Sequence, residues 1–450
     1  MPTPKNIFIC TKCDAQTLKW SGRCSECGAW GSLKEGAETA DVPSQRKAGK
    51  SGEIKTFKGH TAESAQSELT GVAALDEVLG GLVHGSVTLL AGEPGIGKST
   101  LLAQAAIALA ASGKKIVYVT GEESPTQIHR RLVRLAPEIP SSLFFLDLTD
   151  VPTIAATIEK ERPDLTIVDS VQTLRTPEMN GEPGSVTQVK AGAAILTEAA
   201  KKFGAPLMLV GQVTKDGDVA GPRVLEHLVD SVLFLEGDHE HRYRILRALK
   251  HRFGPTDQSA LLSMTEKGLE TVVDPSQELL QHRLSGIPGS AVTCLIQGQR
   301  PMLLEIQALT NPAGYGTPVR RATGVDTSRL GMLLAVLARR AGVNALEKDV
   351  YANAAGGVDA RDPSADLALV AAIASATKNS PLNPRLGLFG EIGLGGELRP
   401  VGLPELRLKE LKRMGFDSAV LPKGQTKKSV DGINIIEAAT LEEALRSCGL

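Results

Sequence analysis

Two regions of this chain alternate short apolar runs with longer stretches of helical periodicity. In the first, apolar runs closed by a small or polar residue recur: VTLLAG at 87–92, KKIVYVTG at 114–121, LFFLDL at 143–148, LTIVDS at 165–170 and PLMLVGQ at 206–212. Between them, TLLAQAAIALAAS, SPTQIHRRLVRLA, TIAATIEKE and QVKAGAAILTEAAKKFG carry apolar residues at helical spacing. Strands alternating with helices predict βαβ units and a mainly parallel, buried sheet. Residues 231–254 read as two strands around a polar turn. The second region follows Asp274-Pro275-Ser276, where the pattern breaks. There SGIPGSAVTCLIQGQRPMLLEIQALT predicts paired strands, RLGMLLAVLARRAG and ADLALVAAIASA predict helices, and LGLFGEIGLGGELRPVG predicts strand and turn. The pattern gives an α/β protein divided into a cysteine-bearing unit (1–33), a polar linker of low order (34–63), a strand–helix core (64–273) and a C-terminal α+β domain (274–450).

Composition narrows the function classes. Of 450 residues, 42% are hydrophobic and 22% charged, which excludes wholesale disorder, and six cysteines are too sparse for a disulfide scaffold. No apolar run reaches the ~20 residues of a membrane span, and no apolar segment of secretory type precedes the first cysteines; a cytoplasmic protein is expected. Fifty basic and 51 acidic residues balance to a formal charge of −1, so nucleic-acid binding requires local basic patches. Aromatic residues, at 3%, are too few for extended base-stacking platforms.

Gly92-Glu93-Pro94-Gly95-Ile96-Gly97-Lys98-Ser99 satisfies the G-x-x-x-x-G-K-[ST] pattern between an apolar strand and an apolar helix. Glycines let backbone N–H groups turn inward around phosphate, and the helix N-terminus adds its dipole. ATP is expected in the cleft of residues 92–100, Thr100 included. Lys98 would reach the β- and γ-phosphates, and the Ser99 hydroxyl would ligate Mg²⁺. Asp169 closes an apolar run at the carboxyl edge of the sheet, where a carboxylate can hold the Mg²⁺ shell. Glu122 and Glu123 follow KKIVYVTG, the strand after the P-loop helix, beside the same crevice; a carboxylate there can activate the attacking water, and Glu122 is favoured. Gln212 closes another, where an amide can sense the γ-phosphate.

Cys10-x-x-Cys13 and Cys24-x-x-Cys27 pair two thiolate knuckles, the spacing of a closed, structural Zn²⁺ site. Iron on the same ligands, or a pair of redox dithiols, are the alternatives. Lys12, Lys19 and Arg23 leave open whether this unit touches DNA or protein.

The P-loop, the strand-end glutamate, LTIVDS and a strand ending in glutamine together resemble the RecA-like ATPase core, as does the lead-in Gly71-Val72-x-x-Leu75-Asp76-x-x-Leu79-Gly80-Gly81. SVQTLRTPEMNGEPGSVTQVKAGA after Asp169 resembles the first DNA-binding loop of that fold, and Thr214-Lys215-Asp216-Gly217 stands where the second would lie. Lys250-His251-Arg252-Phe253-Gly254 resembles the K-N-R-F-G signature of the bacterial RadA/Sms family, with His251 in place of asparagine. The resemblance implies that Lys250 and Arg252 reach a neighbouring subunit's nucleotide; composition alone reads them as a solvated strand edge. GGVDARDPSADLALVAAIASA and FGEIGLGGELRPVG resemble the Lon protease domain, with Ser364 at the nucleophile position. Glu405 stands where that family's lysine base is counted, and Arg407 and Lys409 are out of register, so no peptidase activity is expected. Asp362 then reads as an N-cap, Pro363 as the first helical residue and Ser364 as part of the first turn. Arg320-Arg321, Arg339-Arg340 and Lys427-Lys428 are candidate basic spots.

The resemblance covers nearly the whole chain. It implies a bacterial, hexameric, DNA-dependent ATPase of homologous recombination and repair. It further implies action on single-stranded and branched DNA, helicase-like driving of branch migration, and work beside a RecA-type recombinase. A nucleotide-switched loading module and an ATP-dependent peptidase are the rival readings.

Overall fold

The computed structural model describes residues 7–11, 16–17, 19–24, 28–36, 67–213, 222–237, 242–314, 316–426 and 430–450. Cys13, Cys27, Lys12, the linker beyond residue 36 up to 66, Thr214-Lys215-Asp216-Gly217 and Lys427-Lys428 lie outside them.

The chain forms two compact units. One comprises Met1–Val72, Leu79–Leu233 and Leu249–Gly254; the other comprises Ala73–Val78, Phe234–Ala248 and Pro255–Leu450. At the N-terminus β1 (Ile7–Cys10) pairs antiparallel with both β2 (Gln16–Thr17) and β3 (Leu33–Gly36). Cys10, Cys24 and Leu33 form the small core of this ribbon.

After the short helix α1 (Ala73–Leu79) comes the predicted strand–helix alternation. Its elements are β4 (Val87–Gly92), α2 (Lys98–Ala111), β5 (Ile116–Thr120), α3 (Pro125–Leu135), β6 (Leu143–Asp147), α4 (Val151–Glu161), β7 (Leu165–Asp169), α5 (Val186–Phe203), β8 (Leu207–Gln212), α6 (Pro222–Leu225) and β9 (Ser231–Glu236). Within a nine-stranded sheet these strands lie in the order β9-β4-β8-β7-β5-β6. β4, β8, β7, β5 and β6 run parallel, so their carboxyl ends share one edge. β4 and β5 are buried throughout, as strands covered on both faces must be. β6 departs from the uniformly buried pattern its sequence suggests: it is the outer strand, and Phe144 and Phe145 remain exposed. Helices α4 and α5 pack Ile154, Ile158, Val189 and Leu196 against Val87, Leu89, Val119 and Leu209.

In the second unit, β10 (Tyr243–His251), whose last residues belong to the first, pairs antiparallel with β11 (Ser259–Thr265), and β11 with β12 (Gly268–Thr271). Helix α7 (Pro275–Leu280) follows, capped by Asp274. A seven-stranded mixed sheet is then built from β13 (Ser290–Gln297), β14 (Arg300–Pro312), β15 (Arg320–Thr323), β16 (Lys348–Ala354), β17 (Leu386–Leu388), β20 (Ser418–Pro422) and β21 (Asn434–Ala438), in the order β15-β16-β14-β13-β17-β20-β21. A separate hairpin joins β18 (Glu391–Ile392) to β19 (Leu398–Arg399). The helices are α8 (Thr327–Ala341), α9 (Asp366–Lys378), α10 (Pro404–Arg413) and α11 (Leu441–Ser447). The alanine-rich α9 is buried over Asp366–Ser375, which its small side chains permit. No helix among the described residues is long and apolar enough to cross a membrane.

Candidate functional site

β4 delivers the chain into the glycine loop, and α2 leaves it at Lys98. Gly97, the residue before the helix, has φ 116°, a conformation closed to ordinary side chains. The loop therefore turns tightly between β4 and α2. Lys98 is buried, and its Nζ donates to the carbonyls of Gly92 (2.9 Å) and Glu93 (2.8 Å). Burial lowers its pKa, against the opposing pull of Asp169, Glu122 and Glu93. Ser99 and Thr100 follow, half-buried, in the first turn of α2. Ile96 is wholly buried and anchors the loop from below.

The other strand ends converge on this loop. Asp169 is the last residue of β7, and its Oδ2 accepts from the Tyr118 hydroxyl on β5 at 2.7 Å. Tyr118 is 3% exposed, and burial, reinforced by Asp169, pushes its hydroxyl well above the ordinary range, so it serves as a donor. The peptide between Asp169 and Ser170 is cis. Ser170 donates to Glu122 Oε1 at 2.5 Å, and Gln212 Nε2 reaches the same oxygen at 3.4 Å. Gly121, just before Glu122, has no room for a side chain: a Cβ there would collide with Thr149 Cγ2 and lie 2.8 Å from Thr173 Oγ1. Glu123 faces elsewhere, paired with Arg131 of α3. The expected set of Lys98, Glu122, Asp169 and Gln212 is thus brought together, and the two glutamates are separated by their partners. Sequence reasoning missed Tyr118 and Ser170. Gln172 Nε2 also contacts the Gln212 carbonyl at 3.4 Å.

Beyond Asp169 the 171–185 segment begins as a single 3-10 turn and ends at the Ser185 cap of α5. Buried Gln188 pins it, accepting from Thr176 N–H at 2.8 Å and donating to the Met179 (2.7 Å) and Gly181 (3.2 Å) carbonyls. Pro177–Pro183 stand exposed on that pin.

Lys250 and Arg252 are held at the opposite end of the sheet. Lys250 Nζ donates to the carbonyls of Glu226 (2.5 Å) and Val229 (2.8 Å). Arg252 Nη1 donates to Asp230 Oδ1 at 3.0 Å, and the buried Asp230 also accepts from Lys201 (3.2 Å) and from Val87 N–H (3.1 Å). His251 turns away to Ser231 Oγ (2.8 Å) and the Leu79 carbonyl (3.0 Å); burial lowers its pKa. Val87 opens β4 and Gly92 closes it, so these cations lie roughly 17 Å from their own phosphate loop at ~3.3 Å per residue.

In the ribbon, Cys10 and Cys24 are both buried beside Leu33. Gly28 N–H donates to the Cys24 carbonyl at 3.0 Å, and Cys24 N–H to the Ala29 carbonyl at 2.9 Å. Two buried thiols in one small core suit a soft metal such as zinc.

In the second unit, Asp362 caps a single 3-10 turn, Pro363–Ala365, accepting from Ser364 N–H at 2.7 Å. Ser364 is fully buried, and its hydroxyl accepts from Arg407 at 3.1 Å. Arg407 also donates to the carbonyls of Gly402 and Cys294.

Residues 59–218 match the AAA domain family, 8–35 the rubredoxin metal binding domain and 344–442 the C-terminal proteolytic domain of Lon protease (S16). The chain is 44% identical to the DNA repair protein RadA of Pseudomonas aeruginosa, each aligned over 99% of its length. It is 41% identical to that of Bacillus subtilis over 99% of both, and 42% identical to that of Aquifex aeolicus over 98% of both. The chain belongs to the DNA repair protein RadA family. Its architecture is therefore that of a RadA-family protein: a metal-binding ribbon, a RecA-like P-loop ATPase core and a Lon-type C-terminal domain.

Proposed function

We propose that this RadA-family chain is a DNA-dependent ATPase of homologous recombination and repair. It works in the bacterial cytoplasm as a homohexameric, helicase-like motor that drives branch migration of strand-exchange intermediates. One observation carries the reading: Lys98, Asp169, Glu122 and Gln212 converge at one sheet edge, while Lys250 and Arg252 stand at the other. An arginine about 17 Å from its own loop is useless to its own nucleotide, but it lies on a surface that a neighbour in a ring can face.

ATP occupies residues 92–100. Lys98 exchanges its contacts with the Gly92 and Glu93 carbonyls for the β- and γ-phosphates. Ser99 and Asp169 supply the hard oxygen donors that suit Mg²⁺. Mg²⁺ held there supplies charge neutralisation at the phosphoryl oxygens. Glu122, oriented by Ser170, accepts the proton of the attacking water. Gln212 senses the γ-phosphate through its amide. Lys250 and Arg252 of the adjacent subunit add positive charge in the transition state. The 171–185 segment, fixed by Gln188, and residues 214–217 contact single-stranded and branched DNA. The four-cysteine site takes structural zinc, with Cys13 and Cys27 completing the ligand set. A RecA-type recombinase is the protein partner.

The test is ATP hydrolysis by purified protein with and without single-stranded DNA, beside Lys98→Ala, followed by strand displacement on branched substrates. DNA-stimulated turnover lost in Lys98→Ala, together with displacement, is expected. Turnover indifferent to DNA would replace the motor with a nucleotide-switched loading module. Retained turnover in Lys98→Ala would overturn the site itself.

A further inference from the structure

Tyr118 lies on β5, whose neighbour in the sheet is β7, not the sequence-adjacent β6 alone. In that parallel pairing Tyr118 stands opposite Ile167, and Asp169 is two residues further along β7. Side chains two apart on a strand share a face, and an aromatic side chain spans the diagonal to the next such position. The ring is thereby buried under the sheet's carboxyl edge with its hydroxyl 2.7 Å from Asp169 Oδ2.

We propose that Tyr118 is a positioning residue for Mg²⁺-nucleotide binding, acting by holding the Asp169 carboxylate in one orientation. This rests on the assignment of Asp169 to the Mg²⁺ shell. A carboxylate at a strand end has free rotation about its last torsion unless something fixes it. The tyrosine bond engages Oδ2 and leaves Oδ1 as the oxygen for the metal. Phenylalanine would fill the same space, so packing alone does not call for the hydroxyl. Hydrogen-bond partners behind a metal ligand typically alter metal affinity 10–100-fold when removed.

The experiment uses the full-length chain and a fluorescent N-methylanthraniloyl adenine nucleotide, titrated with Mg²⁺. Tyr118→Phe is expected to raise the Mg²⁺ concentration for half-maximal binding by about tenfold or more. Nucleotide binding in EDTA and the melting temperature without Mg²⁺ should stay as in the unsubstituted protein. Tyr118→Leu, which also lacks the hydroxyl, should shift the Mg²⁺ requirement in the same direction. Asp169→Asn is run alongside. An unchanged requirement in both tyrosine variants, with a shifted one in Asp169→Asn, overturns the role of Tyr118 and leaves Asp169 in place. An unchanged requirement in all three overturns the Asp169 assignment. Loss of binding to the same degree with and without Mg²⁺ overturns the proposal by making Tyr118 a packing residue only.

Discussion

Arg252 pairs with Asp230, Nη1 to Oδ1 at 3.0 Å, while the other oxygen of that carboxylate accepts from the first N–H of the strand that ends in the phosphate loop. The guanidinium is thus presented at the surface, its side chain 54% exposed, by a buried group tied to the ATPase core. Arg252→Ala should cost the fold about 1 kcal/mol or less, because the guanidinium is largely exposed and the buried Asp230 keeps Lys201 and Val87. Turnover should fall about a thousandfold or more if the residue acts as an arginine finger. Mixing Arg252→Ala with Lys98→Ala protein should restore turnover, since some interfaces then join an intact loop to an intact arginine. A mixture no more active than its separate components would refute action across subunits.

Glu122 and Glu123 are neighbours with different partners, and their substitutions should separate. Glu122→Gln should retain nucleotide binding and lose about 10²–10⁴ in turnover, the usual contribution of a positioned base. Glu123→Gln should cost far less, since it only disconnects the Arg131 pair. Single-turnover ATP hydrolysis at saturating nucleotide distinguishes them, and equal losses would undo the assignment of Glu122.

The sequence made Lys98 legible through the G-x-x-x-x-G-K-[ST] pattern, and Asp169, Glu122 and Gln212 because each ends an apolar run and parallel strands put such ends on one edge. It did not make Tyr118 or Ser170 legible. Tyr118 matters only because β5 lies next to β7, a crossover that periodicity does not encode, and Ser170 looks like any strand-end serine. Asp230 was invisible for the same reason: its partners Val87, Lys201 and Arg252 come from three distant segments. The pairing of β9 with the start of β4 also gave Lys250 and Arg252 their position. In the second unit, counting along the chain placed Arg407 out of register with a lysine base, yet α10 turns it inward onto Ser364.

The ribbon should depend on its metal while the ATPase core does not. Blocking the thiols with a mercurial should release about one equivalent of zinc per chain, since four thiolates hold one ion. Cys10→Ser should abolish that release and leave the melting transition and basal ATP turnover of the core near their original values. Iron in the released metal, or a core that unfolds with Cys10→Ser, would contradict this reading.

The Lon-type domain presents Ser364 in a setting where it cannot attack. Its hydroxyl is fully buried and accepts from Arg407, a guanidinium that stays protonated and so cannot remove the serine proton. The neighbouring Cys294 thiol is no substitute, for burial pushes its pKa up to about 12. Arg407 instead ties Ser364 to the Gly402 and Cys294 carbonyls, joining α10 to β13 and to the turn before α9. Ser364→Ala should therefore change neither ATP turnover nor peptide cleavage, which should be absent from both proteins with casein as substrate. Arg407→Ala should lower stability by about 3 kcal/mol or more, since it leaves buried acceptors without donors and opens a cavity. Chemical denaturation of the two variants measures that contrast. Casein cleavage abolished by Ser364→Ala would show that the serine is reached by a base after all, and that the Arg407 contact yields in solution.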